Sequence, residues 1–133
     1  MECNREQIVV QCFLELNWPK DSFILDIGCG NGIIGQLLKK NGYENIDGLD
    51  ESSKIIEIPK QNNCYKNLIN SIVSTNIRLP IENNVYDVVI IAEEFCPGRI
   101  HINAFNEVLR VTKSGEIFNQ KNNQIFISSL KYP

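Results

Sequence analysis

At 133 residues the chain has room for one domain with a real hydrophobic core and no room for two. Hydrophobic residues make up 43% and charged residues 22%, the balance of a folded chain and not of a disordered one. The 13 basic and 16 acidic residues leave a formal charge of −3, so no broad basic footprint awaits a nucleic acid, and no apolar run approaches the ~20 residues a membrane helix needs.

The opening stretch, MECNREQIVVQCFLELNWPK, carries acids and amides where a secretory signal has a basic head and an apolar middle, so a cytoplasmic or nuclear protein is expected. The five cysteines (Cys3, Cys12, Cys29, Cys64, Cys96) are scattered, form no CxxC pair and have only His101 as a possible imidazole partner. They are expected to pack, and neither a metal site nor a disulfide framework is expected.

Ile8, Val9, Cys12, Phe13 and Leu16 recur at helical spacing and predict a helix from Arg5 to Leu16, ended by Trp18-Pro19. Phe23 to Ile27 reads as a strand that stops at the cluster Gly28-Cys29-Gly30-Asn31-Gly32. A helix follows with Ile33, Ile34, Leu37 and Leu38 on one face and Asn41-Gly42 as its stop. Ile46 to Leu49 predicts a second strand running to Asp50, and Ser52 is placed to cap a short helix through Ile58 that Pro59 ends.

A third strand is expected over Asn70 to Ser74, then a loop from Asn76 to Asn84. Tyr86 to Ala92 is nearly continuous β-branched sequence, as in a strand buried on both faces. A helix over Ile102 to Thr112 presents Ile102, Phe105, Val108 and Leu109 inward. Gly115 opens a short strand, Glu116 to Phe118, and a polar stretch from Asn119 leads to a last strand, Gln124 to Ser128.

Strands alternating with helices predict a single α/β domain over residues 1–133: a Rossmann-like, mainly parallel sheet with helices on both faces. Such sheets bind ligands beyond the carboxyl ends of their strands, where strand order switches, which directs attention to the segments 26–32, 50, 74–77 and 91–97.

The glycine cluster supports two frames. Gly30-x-Gly32-x-x-Gly35 matches the dinucleotide pattern but begins two residues late. Asp26-x-Gly28-x-Gly30-x-Gly32 instead sets a carboxylate before three alternate glycines that let backbone wrap a ligand closely. A pyrophosphate favours bare N–H groups at a helix N-terminus and is repelled by a carboxylate. S-adenosyl-L-methionine has no phosphate and carries two positive groups, a sulfonium and an α-ammonium, so the second frame suits it. Asp50, at the end of the second strand, can accept hydrogen bonds from ribose hydroxyls in either ligand.

These segments together resemble the class I S-adenosylmethionine-dependent methyltransferases. Ile24 to Gly32 resembles their first motif and Asp50-Glu51-Ser52 their acidic second motif. Leu79-Pro80-Ile81 with Tyr86 to Ile90 resembles their "LPF … FDVV" segment, and Leu109 to Gly115 their "LRxxKPGG" turn. The Williams–Beuren-region methyltransferase-like family is the nearest resemblance, through Asp50-Glu51-Ser52 followed by Tyr65 and through Asn106 to Lys113. The wider resemblance covers about residues 22–118.

The resemblance implies S-adenosyl-L-methionine as cofactor. Gly28, Cys29, Gly30, Asn31 and Gly32 would surround its methionine portion with Asp26 near the amino group, Asp50 and Glu51 would meet the ribose, Thr75, Asn76 and Ile77 would flank the adenine, and Ile91 would border the methyl-transfer side. Thr75 stands where many relatives have aspartate, Ser114 replaces a proline and Glu116 a glycine. It also implies a class I fold truncated at both ends, whose exposed sheet edge a second copy could cover.

Methyl transfer needs no protein nucleophile, so catalytic residues are not assigned; Glu93-Glu94 and His101 have everyday readings as a solvated strand end and a loop residue. Three functions stay open on sequence alone: a methyltransferase acting on a small-molecule or protein acceptor, a non-catalytic S-adenosylmethionine- or nucleotide-binding module, and a nicotinamide-binding fragment.

Overall fold

Short apolar segments become the centre of the sheet. β1 (Ile24–Ile27), β2 (Ile46–Asp50), β3 (Asn67–Asn70) and β4 (Val88–Ile91) pair in parallel, with Asp26 opposite Gly48 on one side and Ile90 on the other. The computed structural model describes residues 5–52, 63–74, 76–91, 105–113, 115–121 and 124–129. Within them an antiparallel hairpin, β5 (Gly115–Lys121) and β6 (Gln124–Ser129), completes a six-stranded sheet of order β3-β2-β1-β4-β6-β5. From β1 the chain steps outward to β2 and β3 and then crosses back to β4. The switch in strand order therefore lies between the ends of β1 and β4.

Alternation along each strand feeds two cores. Ile24, Ile46, Val88 and Ile90 meet Val9, Val10 and Phe13 of α1 (Arg5–Glu15) and Ile34 and Leu38 of α2 (Ile33–Lys40). Leu25, Ile27, Leu49, Val89 and Ile91 meet Val108 and Val111 of α3 (Phe105–Val111) on the other face. Helices thus cover both faces, as expected. Each such side chain fully removed from water contributes about 1.5–3 kcal/mol. Tyr43 locks the first core: its hydroxyl donates to the Trp18 carbonyl at 2.6 Å, and its ring meets Phe13 edge-on at 5.0 Å.

Four expectations change, the first being that β4 begins at Val88 and not at Tyr86. The third strand lies at Asn67–Asn70, not Asn70 to Ser74. Asp47 Oδ1 accepts both the backbone N–H and the Nδ2 of Asn67, which pins the register early, and β2 ends at Asp50, so residues 71–74 have no strand to pair with. Ile72 is accordingly exposed. The polar stretch after Phe118 continues as strand to Lys121, because backbone groups alone make the hairpin ladder; a register shift falls between Ile117 and Asn119. Finally, β1 begins at Ile24, with Phe23 exposed and its N–H donated to Asp87 Oδ2 at 2.9 Å. The helix expected over Ser52 to Ile58 lies, apart from Ser52, outside the described residues, as do Ile102, Glu93, Glu94 and His101.

Candidate functional site

β1 ends in a turn that only glycine accommodates easily. Gly28, Gly30 and Gly32 have φ of 75°, 52° and 86°, the left-handed region where a Cβ is strained. The turn hangs from the end of β2: the N–H groups of Gly28 and Cys29 both donate to the Leu49 carbonyl, at 2.7 and 3.1 Å. Gly32 then caps α2 with no side-chain partner, and its carbonyl accepts from the Gln36 N–H at 2.9 Å.

Asp50 closes this unit. Its Oδ2 accepts the Gly30 N–H and its Oδ1 the Ser52 N–H, each at 2.9 Å. Its backbone carbonyl accepts from Ser71 N and from Asn70 Nδ2, and Asn70 Nδ2 also reaches the Glu51 carbonyl. One residue therefore ties the glycine turn and the end of β2 through its carboxylate, and the exit of β3 through its backbone carbonyl.

Asp26 is treated differently. It is fully buried, on the α1/α2 face of the sheet with Ile24. Oδ2 accepts the Tyr65 hydroxyl at 2.6 Å, while Oδ1, equally shut from water, has no hydrogen-bond partner among the described residues. Burial pushes its carboxyl up to about 7; the Tyr65 hydroxyl pulls the other way, and the nearby Asp50 charge adds to the rise. A positively charged donor brought to Oδ1 would complete it. The residues present therefore fit a cationic ligand and disfavour a phosphate.

Cys29 packs against the sheet. Its Sγ lies 3.0 Å from where a Cβ on Gly48 would stand, and burial, then the Asp26 and Asp50 charges, push its thiol up to about 12. Cys64 is buried too, its thiol 3.8 Å from the Gly32 carbonyl. Asn31 is exposed at the turn's tip. Ile91 ends β4 beside Ile27, but its side chain is in the second core, so only the strand end borders the turn. Asn76 and Ile77 are exposed, their N–H groups on the Ser74 carbonyl; Thr75 lies outside the described residues.

Two partners of the site went unassigned in the sequence. Tyr65 follows Asp26 by 39 positions, and nothing local ties them. Gly35, inside α2, makes the contact feasible: a Cβ there would stand 2.5 Å from Tyr65 Cζ and 2.8 Å from its hydroxyl oxygen. A glycine within a helical pattern signals such a close approach.

Known proteins resemble this chain in sequence and in fold. The profile of the methyltransferase-domain family matches residues 24–115, β1 through the start of β5. Ribosomal protein L11 methyltransferase of Thermotoga neapolitana is 31% identical over 108 residues, 79% of this chain and 38% of that protein. Human methyltransferase-like protein 27 is 30% identical over 97 residues, 73% of this chain and 39% of that protein. The chain thus spans under two fifths of these curated relatives. The crystal structure of a SAM-dependent methyltransferase from Aquifex aeolicus superposes with a TM-score of 0.63 at 19% identity, over 80% of this chain and 59% of that one, and shares the fold. The match of the family profile over most of the chain, on a sheet of this order, makes this chain a member of the methyltransferase-domain family, with the class I S-adenosyl-L-methionine-dependent methyltransferase fold.

Proposed function

We propose that the chain holds S-adenosyl-L-methionine over the glycine turn and directs its methyl group to a small-molecule or protein acceptor, with residues 1–133 acting as one domain. One observation carries this reading: a fully buried carboxylate with an oxygen that has no donor among the described residues, just before three left-handed glycines. Such a group costs stability unless something completes it. The α-ammonium of an amino acid is a donor of the right charge.

In this reading Asp26 Oδ1 accepts from that ammonium, and the backbone of Gly28, Cys29, Gly30, Asn31 and Gly32 passes around the amino-acid portion. Asp50 and Glu51, at the end of β2, face the ribose, Thr75, Asn76 and Ile77 lie along the adenine, and the end of β4 at Ile91 borders the transfer side. Asp50 holds Gly30 in place through Oδ2 and keeps further lone pairs for hydroxyl donors. When bound, the cofactor supplies a methyl group already activated on a sulfonium. The protein then has to align donor and acceptor and exclude water.

Calorimetric titration with S-adenosyl-L-methionine, S-adenosylhomocysteine and NAD tests the binding half. The first two are expected to bind and NAD not; binding of NAD alone, or of none of the three, overturns it. Transfer of a labelled methyl group into a lysate or metabolite pool tests the second half. Cofactor binding without any transfer would make the chain a binding module.

A further inference from the structure

We propose that Tyr65 is a positioning residue for cofactor capture: its hydroxyl, passing beneath Gly35, occupies Oδ2 of Asp26, so that Oδ1 is the oxygen presented to the ligand and the protonation of that oxygen governs binding. The inference rests on the cofactor reading above and adds a residue and a proton to it.

The geometry is specific. Tyr65 is buried, its hydroxyl lies 2.6 Å from Oδ2, and the absence of a side chain at Gly35 leaves the space its ring occupies. Burial and the Asp26 charge push the Tyr65 hydroxyl far up, so it stays protonated and remains a donor. With Oδ2 engaged as an acceptor, any proton that Asp26 carries sits on Oδ1. There it presents a donor to the incoming ammonium, which is itself a donor. Binding must therefore remove that proton: the Oδ1–H bond breaks, the proton leaves to water, and the carboxylate electron pair accepts from the ammonium.

The groups acting on Asp26 are few. Tyr65 approaches from the segment before β3, Asp50 from the end of β2, and Cys29 from the turn, with Cys64 nearby and under the influence of Lys39 on α2. Both cysteines are pushed up and stay neutral. Asp26 itself has its midpoint near neutrality, at about 7. At pH 7 about half a proton should then leave per ligand bound.

The test compares the wild-type chain with Tyr65→Phe, using S-adenosylhomocysteine as probe and calorimetry in buffers of different ionisation enthalpy from pH 6 to 9. Loss of a hydrogen bond to a charged acceptor raises the Asp26 midpoint by about 1–2 units. The variant should bind about 5- to 50-fold more weakly at pH 7, release nearly a whole proton, and recover toward the wild type as the pH rises. The ligand's own amino group titrates alike with both proteins and cancels in the ratio.

Gly35→Ala, which keeps the hydroxyl but displaces the ring, should shift affinity in the same direction. In the unliganded protein, a 13C titration of the Asp26 carboxyl should show a higher midpoint in Tyr65→Phe. Equal affinity and equal proton release in wild type and Tyr65→Phe, or an unmoved carboxyl midpoint, overturns the role of Tyr65. Failure of the wild-type chain to bind the probe at any pH overturns the cofactor reading instead, and leaves the carboxyl titration to decide whether Tyr65 controls Asp26.

Discussion

The two ends of the sheet treat their carboxylates in opposite ways. At the amino ends of the strands, Asp47 takes two donors from Asn67 on Oδ1 and the Tyr86 hydroxyl on Oδ2 at 2.8 Å. Asp87 takes the Phe23 N–H on Oδ2 and pairs with Lys113 through Oδ1 at 3.4 Å. Glu107 of α3 receives Arg110 on both oxygens and the Leu79 N–H on Oε1. These carboxylates are all partly exposed, and every oxygen has a partner. At the carboxyl ends, Asp50 is likewise satisfied, but Asp26, the more deeply buried of the two, has among the described residues one donor for two oxygens. Among the described residues, an oxygen of the group that most needs partners has none, near the carboxyl ends of the strands, where sheets of this kind bind ligands.

The largest expected effect breaks that asymmetry directly. Asp26→Ala removes the acceptor offered to the ligand and should weaken S-adenosylhomocysteine about a hundredfold, from the worth of a buried charged hydrogen bond. The same change in charge should have the opposite sign for the unliganded fold. Folding raises the Asp26 carboxyl from 3.8 to about 7, so the folded chain holds this proton more tightly than the unfolded one. The stability this lends is complete below about pH 4 and is lost as the pH climbs through 7. Asp26→Asn, uncharged throughout, should therefore be more stable than wild type at pH 8 by about 2–4 kcal/mol, with the advantage vanishing toward pH 4. Urea unfolding at the two pH values checks it, and a variant less stable than wild type at pH 8 would abolish the contrast between the two ends.

Local features of this contrast are legible in the sequence, and remote ones are not. The strand β4 announces itself as an unbroken apolar run and β1 as an apolar run interrupted only by Asp26, because both their faces are covered. Asp26, the three glycines and Asp50 stand out because the turn needs left-handed φ at fixed intervals within seven residues and a carboxylate at the next strand end. The β3 register escapes, since it depends on the Asp47 side chain reaching across to Asn67, and two asparagines around Leu68-Ile69 give little β signal. The extension of β5 through Asn119, Gln120 and Lys121 escapes for a related reason, as hairpin pairing uses backbone that any residue has. Tyr65 stands out only as a point of resemblance. Its hydrogen bond to Asp26 is decided by how α2, β1 and the segment before β3 pack, with Gly35 as the sole local trace.

A middle-sized effect should come from the satisfied end. Arg110 joins Glu107 to the Leu79 and Ile81 carbonyls and to Asn83 Oδ1, fastening the segment before β4 onto α3. Arg110→Ala should cost about 2 kcal/mol in denaturant unfolding, from several charge-assisted bonds lost together at a partly exposed site. Arg110→Lys should restore little of it, because one ammonium cannot span a fork of acceptors. The guanidinium also holds the Glu107 carboxyl below its ordinary value. That stability is present above the unfolded pKa and lost as the pH falls through the folded one, so wild type should lose more stability than Arg110→Ala on acidification below about pH 5. Equal acid sensitivity in the two would show that Glu107 draws its stabilisation from elsewhere.

The smallest effect is the most discriminating for the comparison itself. Tyr86→Phe removes the hydroxyl from Asp47 Oδ2 at the amino end, a near mirror of the Tyr65–Asp26 contact at the other. Asp47 retains both Asn67 donors and is exposed enough for water to replace the hydroxyl. The cost should be about 1 kcal/mol of stability. Ligand affinity and its pH dependence should stay within about twofold of wild type, because the two ends share no partner. Two tyrosine-to-phenylalanine changes, each deleting one hydroxyl from one aspartate contact, would then differ in kind: one in stability alone, the other in the proton balance of binding. If Tyr86→Phe moved the affinity profile as Tyr65→Phe does, the strands would be transmitting charge effects along the sheet, and the unsatisfied oxygen of Asp26 would no longer account for the site.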